Sequence, residues 1–356
     1  MNATPAPADS LRTALDTALD GIPPRRVAQA VERLMTQYRG GGTPGAGPVL
    51  RDRADVVAYA AYRMPATFAA MHAALAALAR AMPAGWTPGH HVDLGGGTGA
   101  AAWAVSTVWA DQRPVTVLDR AEAALALGRE LAAARPALSR ARWHTARFGA
   151  APTDPVPDLA AATGPAPDPA ALATLGYVLG ELTAQEQAAV VAAAARAAGA
   201  VVVVEPGTPD GYARVIAART ALTDAGLRIA APCPHSAGCP VAPGADWCHF
   251  SVRVSRSPLH RQVKGGSLGY EDEKFAYVAA VHPAVAPVRP AAARVLRRPQ
   301  FRKGHVLLDL CGVDGTWART TVTRRQGTAY RAARAAAWGD PWEEPPRGAP
   351  ESPGPA

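Results

Sequence analysis

Cys233, Cys239, Cys248 and Cys311 are the whole cysteine complement of the chain. The first three fall in one Pro- and Gly-rich stretch, Cys-Pro-His-Ser-Ala-Gly-Cys-Pro-Val-Ala-Pro-Gly-Ala-Asp-Trp-Cys-His-Phe. Four thiolates are a full tetrahedral set for zinc or a full set for one iron–sulfur cluster. Scattered cysteines read as small buried hydrophobes, whereas this clustering, with Pro after both Cys233 and Cys239, argues for ligation. A single loop can wrap a metal with three ligands, but the fourth must arrive by folding, so a centre here would staple two segments together. Five residues separate Cys233 from Cys239 and eight separate Cys239 from Cys248. That departs from the short knuckles of structural zinc and leans toward iron–sulfur, with zinc left open. His235 and His249 adjoin the ligands and read as their neighbours or as nucleic-acid contacts. The C-x3-C-x2-C triplet of radical chemistry is absent, so such a cluster is expected to be closed and structural, its oxidative loss loosening the surrounding module.

A second chemical signal is Asp93-Leu94-Gly95-Gly96-Gly97-Thr98-Gly99, which follows a short apolar run and precedes a helical one. It matches the D-x-G-x-G-x-G loop of class I S-adenosylmethionine-dependent methyltransferases, in which Gly95, Gly97 and Gly99 let the backbone approach the ligand. Asp93 stands at the strand end for a polar contact near the amino group of the methionine moiety, and Asp119 ends the next strand, placed for ribose hydroxyls. The same letters fit a dinucleotide loop; the leading acid and the helical extension before it favour S-adenosylmethionine. A nicotinamide redox enzyme stays as a third reading. The stretch Thr174–Leu182, where base-modifying methyltransferases carry Asn/Asp-Pro-Pro-aromatic, has no such tetrad. Tyr177 and Glu181 lie there and read equally as pocket, core or cap residues.

The net charge of +8 is unevenly spread. Between Ser251 and Lys303, eleven Lys and Arg face three acids, an excess of +8, so the remainder is neutral. Aromatic residues interleave with these cations, the footprint of phosphate-backbone binding with stacking platforms. Arg253, Arg256, His260, Arg261 and Lys264 are the expected RNA contacts. No stretch approaches ~18 uninterrupted apolar residues, so no membrane span is expected. Met1–Arg12 carries no apolar signal-peptide core, which makes a reducing cytoplasm the expected location.

Helical periodicity over Ser10–Tyr38 and Asp55–Met82 predicts an N-terminal helical module, residues 1–84, with a break or kink at Pro65. Alternating strands and helices follow: strands at 91–94, 115–119, 171–175 and 200–205, and helices at 100–109, 185–198 and 211–225. This predicts an α/β, Rossmann-like, doubly wound sheet over residues 85–230. Strands near 250–254 and 275–281, and a hairpin from 305–311 to 316–324, predict a strand-rich, cysteine-containing basic module over residues 231–335. Residues 336–356, Pro-rich from Pro341, are expected to be a disordered tail. Gly40–Pro48 and Pro152–Pro169 read as loops.

The segments Arg63–Thr67, Asp93–Gly99, Glu205–Pro209, Cys233–Pro240, Asp246–Phe250 and Lys264–Lys274 together resemble the small-ribosomal-subunit methyltransferase-like family, over about Asp55 to Arg325. The resemblance implies a class I methyltransferase fold and a 4Fe–4S cluster on Cys233, Cys239, Cys248 and Cys311. It also implies binding to small-subunit ribosomal RNA and proteins during assembly or translation.

Overall fold

The computed structural model describes residues 7–39, 52–148, 168–264 and 268–343. Apolar β-branched runs flanked by Ala-rich helices dictate its larger layer. Strands β1 (His90–Leu94), β2 (Val115–Asp119), β3 (Arg142–Thr145), β4 (Asp168–Gly176) and β5 (Ala198–Pro206) are mutually parallel in the order 3-2-1-4-5. Val201–Val204 of β5 are 0% exposed, as befits a strand covered on both faces. Beyond β5 lies β8 (Tyr270–Val281), antiparallel to it, and then β6 (Arg228–Ala231). One parallel run closed by an antiparallel strand slotted between the fifth and sixth is the class I methyltransferase arrangement. The added strand β7 (Phe250–Ser255) pairs with the first half of β8.

Helices α4 (Ala100–Val108), α5 (Glu122–Ala133), α6 (Ala184–Ala197) and α7 (Pro209–Asp224) connect these strands. The longer α3 (Arg53–Ala81) begins at Asp52, whose carboxylate accepts from the Asp55 N–H, and runs unbroken through Pro65. Pro65 forfeits one backbone bond, but eighteen buried residues on this helix hold it against the sheet. Its alanines allow close approach to α4, and residues of α3, α4, β5 and β8 share one core.

The domain division expected from sequence is corrected in three places. The N-terminal helices α1 (Pro7–Leu19) and α3 belong to the same core as the sheet, so residues 1–84 are no separate module; α2 (Pro24–Arg39) packs on α3. The large sheet extends to Val281, taking in β7 and β8 from the anticipated basic module. Pro341–Trp342 form β13, paired with β9 (Ala293–Val295), and Trp342 is buried, so the chain stays ordered to at least there. A second, five-stranded antiparallel sheet comprises β9, β10 (Gln300–Arg302), β11 (His305–Gly312), β12 (Trp317–Thr323) and β13. The expected hairpin is β11–β12. The rest of the expected tail, most of the expected 152–169 loop and the Gly40–Pro48 loop lie outside the described residues.

Candidate ligand crevice and four-cysteine hollow

The strand order reverses between β1 and β4, which opens a crevice at the carboxyl ends of these strands, the usual ligand position in an open α/β sheet. The glycine loop leaves β1 there. Gly95 has φ +70 and a Cβ on it would meet Val178 at 2.2 Å, so no other residue fits. Gly97 has φ +52, and a Cβ on it would meet only Asp119 Oδ2, at 3.8 Å, the least crowded of the loop glycines. Gly99 has φ +84 and packs on Trp143. Thr98 donates from its hydroxyl to Met64 Sδ (3.3 Å), so α3 covers the loop.

Asp119 accepts from the Gly97 N–H (Oδ2, 2.8 Å) and the Ala121 N–H (Oδ1, 2.8 Å). Two of a carboxylate's roughly four acceptor positions remain for a ribose diol. Asp93 sits differently from expectation. It is 1% exposed, and its Oδ1 accepts from Thr174 Oγ1 at 2.8 Å. Its Oδ2, which has no partner, lies against Gly96. Burial pushes this carboxyl up to about 7. Asp93 therefore supports the loop from beneath instead of meeting a ligand's amino group directly. His91 Nε2 lies 2.7 Å from Thr174 Oγ1. Because the threonine's one proton goes to Asp93, His91 must donate from Nε2, and burial holds the ring neutral, pulling it down to about 3. Sequence reading passed over His91 and Thr174; two histidines at the head of an apolar strand were the available signal.

Past β4, Tyr177 adopts φ +60, rare for a residue with a side chain. Its hydroxyl donates to Glu273 Oε1 (2.9 Å), and Arg63 of α3 ion-pairs with the same oxygen (3.3 Å) while its guanidinium lies 5.8 Å from the Tyr177 ring centre. Glu205, fully buried at the end of β5, ion-pairs with Arg214 (2.7 Å) and accepts from the Leu179 N–H (3.0 Å), tying the turn after β4 to α7. Glu181 ion-pairs with Arg120 (3.3 Å).

The four cysteines meet elsewhere. Cys233, Cys239 and Cys248 lie on the loop between β6 and β7, and Cys311 lies on β11 of the second sheet. All four line one small hollow, with Pro232, Pro240, Val241, Leu296 and Arg294. No carboxylate is among those wall residues. His235 Nε2 is 3.5 Å from Cys311 Sγ, and the Tyr212 hydroxyl is 3.3 Å from Cys239 Sγ. His249 instead stacks on Trp247 with 5.3 Å between ring centres. The loop is fastened to the second sheet by the Arg297–Asp246 ion pair (2.8 Å) and to the first by Trp247 Nε1–H donating to the Gly207 carbonyl (3.0 Å). Burial pushes the thiols of Cys233 and Cys248 up and that of Cys311 up to about 12. Among the described residues, no group of three or more His, Cys, Asp or Glu is arranged to hold a metal ion.

Two arginines test whether this donor set suits an inorganic centre. Arg219 and Arg294 are each 4% exposed. Arg219 donates to the His235 (3.0 Å) and Ala237 (2.6 Å) carbonyls, and Arg294 to the Pro232 (2.8 Å) and Gly339 (3.1 Å) carbonyls. Among the described residues neither has a carboxylate partner, and Arg219 Nε has no partner at all. Two buried, unneutralised cations are costly. Four thiolates around a dicationic centre carry two negative charges, which these arginines match. By charge and by donor type the hollow suits a tetrathiolate centre, although its sulfurs are not arranged here to hold a single metal ion. Arg219 and Arg294 also escaped sequence reading, since an arginine on a helix or strand ordinarily reads as a solvated charge.

The residues expected to touch RNA fall into different settings. Arg253 is exposed but ion-paired with Asp272 (3.0 Å), its guanidinium 4.0 Å from the Tyr270 ring centre. Arg256 pairs with Glu271 (3.3 Å). His260, on the short helix α8 (Pro258–Lys264), is 1% exposed, lies 2.7 Å from the Tyr62 carbonyl and stacks on Tyr62. It is a packing residue, which corrects its expected phosphate contact. Arg261 is exposed, and Lys264 ends the helix. No described helix is long and apolar enough to cross a membrane.

A family profile described as mitochondrial small ribosomal subunit Rsm22 matches residues 53–343. Two Schizosaccharomyces pombe proteins, Rsm22-cox11 tandem proteins 1 and 2, mitochondrial, are 28% identical over 178 residues, covering 39% of this chain and 24% of theirs. Human ribosome assembly protein METTL17, mitochondrial, is 28% identical over 300 residues, covering 79% of this chain and 61% of its own. The chain thus spans about a quarter of the two yeast relatives and under two thirds of the human one. Solved structures with similarity include a putative RNA methyltransferase from Pyrococcus horikoshii (12% identity, 62% of this chain and 87% of that one, TM-score 0.37). Another is a SAM-dependent methyltransferase from Aquifex aeolicus (14% identity, 65% and 98%, TM-score 0.37). The fold assignment rests on the strand order above.

Proposed function

The chain belongs to the mitochondrial small ribosomal subunit Rsm22 family, and on that premise we propose that it is a cytoplasmic, methyltransferase-like assembly factor of the small ribosomal subunit. In this reading it binds small-subunit ribosomal RNA and proteins, and holds a 4Fe–4S cluster on Cys233, Cys239, Cys248 and Cys311. The observation that carries the reading is the meeting of three cysteines of the β6–β7 loop with Cys311 of the second sheet on one hollow, beside two arginines that have no carboxylate partner among the described residues. The loop's long spacings, five and eight residues between successive cysteines, favour a cluster over zinc. When bound, the centre supplies a cross-link between the sheets.

The test is anaerobic purification followed by an absorption spectrum and iron, sulfide and zinc analysis. The reading expects a brown protein with about four irons per chain; a colourless, iron-free protein would refute the cluster. Co-sedimentation with immature small subunits tests the ribosomal partner, and its absence would remove that part.

An active S-adenosylmethionine-dependent ribosomal RNA methyltransferase is the second reading, favoured by the acceptor positions left on Asp119 beside Gly97, the least crowded of the loop glycines. Bound S-adenosylmethionine would supply an electrophilic methyl group, with Asp119 and the Gly97 backbone holding its ribose side. Tyr177, where the base-modifying tetrad would stand, is committed to Glu273 and Arg63, which supports binding without transfer. Tritium transfer from labelled S-adenosylmethionine to immature subunits separates the two: incorporation would establish the enzyme, and its absence beside intact subunit binding would establish the factor.

A further inference from the structure

The second sheet carries a group of cations that the charge count along the sequence did not bring together. Arg302 ends β10 and Lys303 opens the turn to β11. The Arg324 N–H donates to the Gly304 carbonyl of that turn (2.8 Å), drawing the 3-10 turn Arg324–Gln326 and its Arg325 alongside. Helix α9 (Thr328–Ala335) follows at once, and Arg331 and Arg334, three residues apart, share one face of it. The Arg334 guanidinium lies 5.5 Å from the centre of the Phe301 ring, which is 47% exposed. All six cations are exposed.

What distinguishes these six is the lack of acids. Arg253, Arg256, Arg297 and Arg319 each hold a carboxylate within ion-pair distance. Among the described residues, none of the six does; Arg302 and Arg331 reach only a side-chain amide and a hydroxyl. No Asp or Glu occurs from Lys274 to Leu308 or from Gly315 to Gly339, so the patch has no acid in its own sequence neighbourhood. Six like charges crowded on one end of a small sheet repel one another, and a polyanion relieves that repulsion by releasing its counterions. Five of the six are arginines, whose planar forks match phosphate oxygens. An exposed ring beside them adds a stacking platform of the kind that single-stranded nucleic acid uses.

We propose that this end of the second sheet, formed by Arg302, Lys303, Arg324, Arg325, Arg331 and Arg334, with Phe301 beside Arg334, is the principal surface for single-stranded segments of RNA. The inference rests on the RNA-binding reading above and relocates its contact from the acid-paired Arg253–Arg256 region to the far edge of β10–β11 and α9.

The experiment uses the full chain and a fluorescein-labelled, mixed-sequence single-stranded RNA, with binding followed by anisotropy across salt concentrations. One variant carries Arg302→Gln, Lys303→Gln, Arg324→Gln and Arg325→Gln; a second carries Arg331→Gln and Arg334→Gln; a third carries Arg253→Gln and Arg256→Gln. The first is expected to bind at least about tenfold more weakly near physiological salt, with the salt dependence flattened by about 0.7 per cation removed. The second should lose less, in proportion to its two charges, and the third should change little. The folded state of each variant is checked by its thermal melt, since all six side chains are exposed. Wild-type binding with unchanged affinity in the first two variants would overturn the surface while leaving the RNA reading intact. Failure of the wild type to bind RNA would overturn both. Loss of binding to poly-glutamate with RNA binding unchanged would assign the patch to an acidic protein and overturn the proposal.

Discussion

Cys311 and Cys239 line the same hollow although they belong to different sheets, Cys311 to a strand of the five-stranded sheet and Cys239 to the loop between β6 and β7 of the eight-stranded one. Any centre bound by both is a cross-link across the junction. Cys311→Ser and Cys239→Ser should therefore each lower the bound metal to a small fraction of wild type. Each should also make the second sheet the first part cut in limited proteolysis, with the large sheet protected. Full metal retention in Cys311→Ser would show that the residue is only a core thiol.

Arg219 and Arg294 should behave differently in the loaded and metal-free protein. Removing either charge takes away compensation for the thiolates in the first and an uncompensated buried cation in the second. Arg294→Met is expected to destabilise the loaded protein by about 2 kcal/mol or more beyond its effect on the metal-free protein. Paired denaturation curves read the difference directly, and equal losses in both states would reduce Arg294 to a brace for the Pro232 and Gly339 carbonyls.

The buried Asp93 carboxyl gives a pH signature. Its folded pKa, about 7, lies above the roughly 3.9 of an unfolded chain, so the folded state keeps a proton that the unfolded state releases. The stability it contributes is complete below about pH 4 and is lost as pH rises through about 7, on the order of 4 kcal/mol. His91, pulled down to about 3, acts oppositely, losing stability as pH falls below about 6.5. The two oppose each other between about pH 4 and 6.5, which makes the wild-type curve shallow. Asp93→Asn should remove the Asp93 contribution alone, leaving a variant whose stability relative to wild type improves from about pH 4 to about pH 7. A constant difference across that range would contradict the carboxyl's raised pKa.

Asp119 joins the glycine loop to the start of α5 through two main-chain N–H groups. Asp119→Ala should cost about 1–2 kcal/mol of stability and abolish S-adenosylmethionine binding by calorimetry. Asp119→Asn, which keeps an acceptor oxygen, should recover part of the stability and little of the binding. Undiminished binding in Asp119→Ala would place the ligand elsewhere.

The glycine loop after β1, the acid ending β2 and the loop of Cys233, Cys239 and Cys248 could all be read along the chain, because each depends on residue type at short range. Gly95 needs its φ and its contact with Val178 whatever the rest of the chain does, and Pro and Gly around Cys233 and Cys239 mark a loop in any fold. Helix α3 was less legible. Pro65 argues for a break, and only the burial of Met64 and Ala66 on either side explains why the helix continues. His260 was expected from sequence to contact RNA and is a ring stacked on Tyr62.

The chain's local chemistry by itself determined that a glycine loop would end the first strand and that four thiols were available for one centre. Tertiary structure alone decided that Cys311 lines the hollow with the other three, that Arg219 and Arg294 flank them, and that the turn after β10 meets Arg324 while Arg334 of α9 lies over Phe301. The physical reason is that ligation, charge compensation and electrostatic repulsion act through space over a few ångströms. Residues far apart in sequence acquire those distances only when β9 and β11 pair and the cysteine loop folds back between the two sheets.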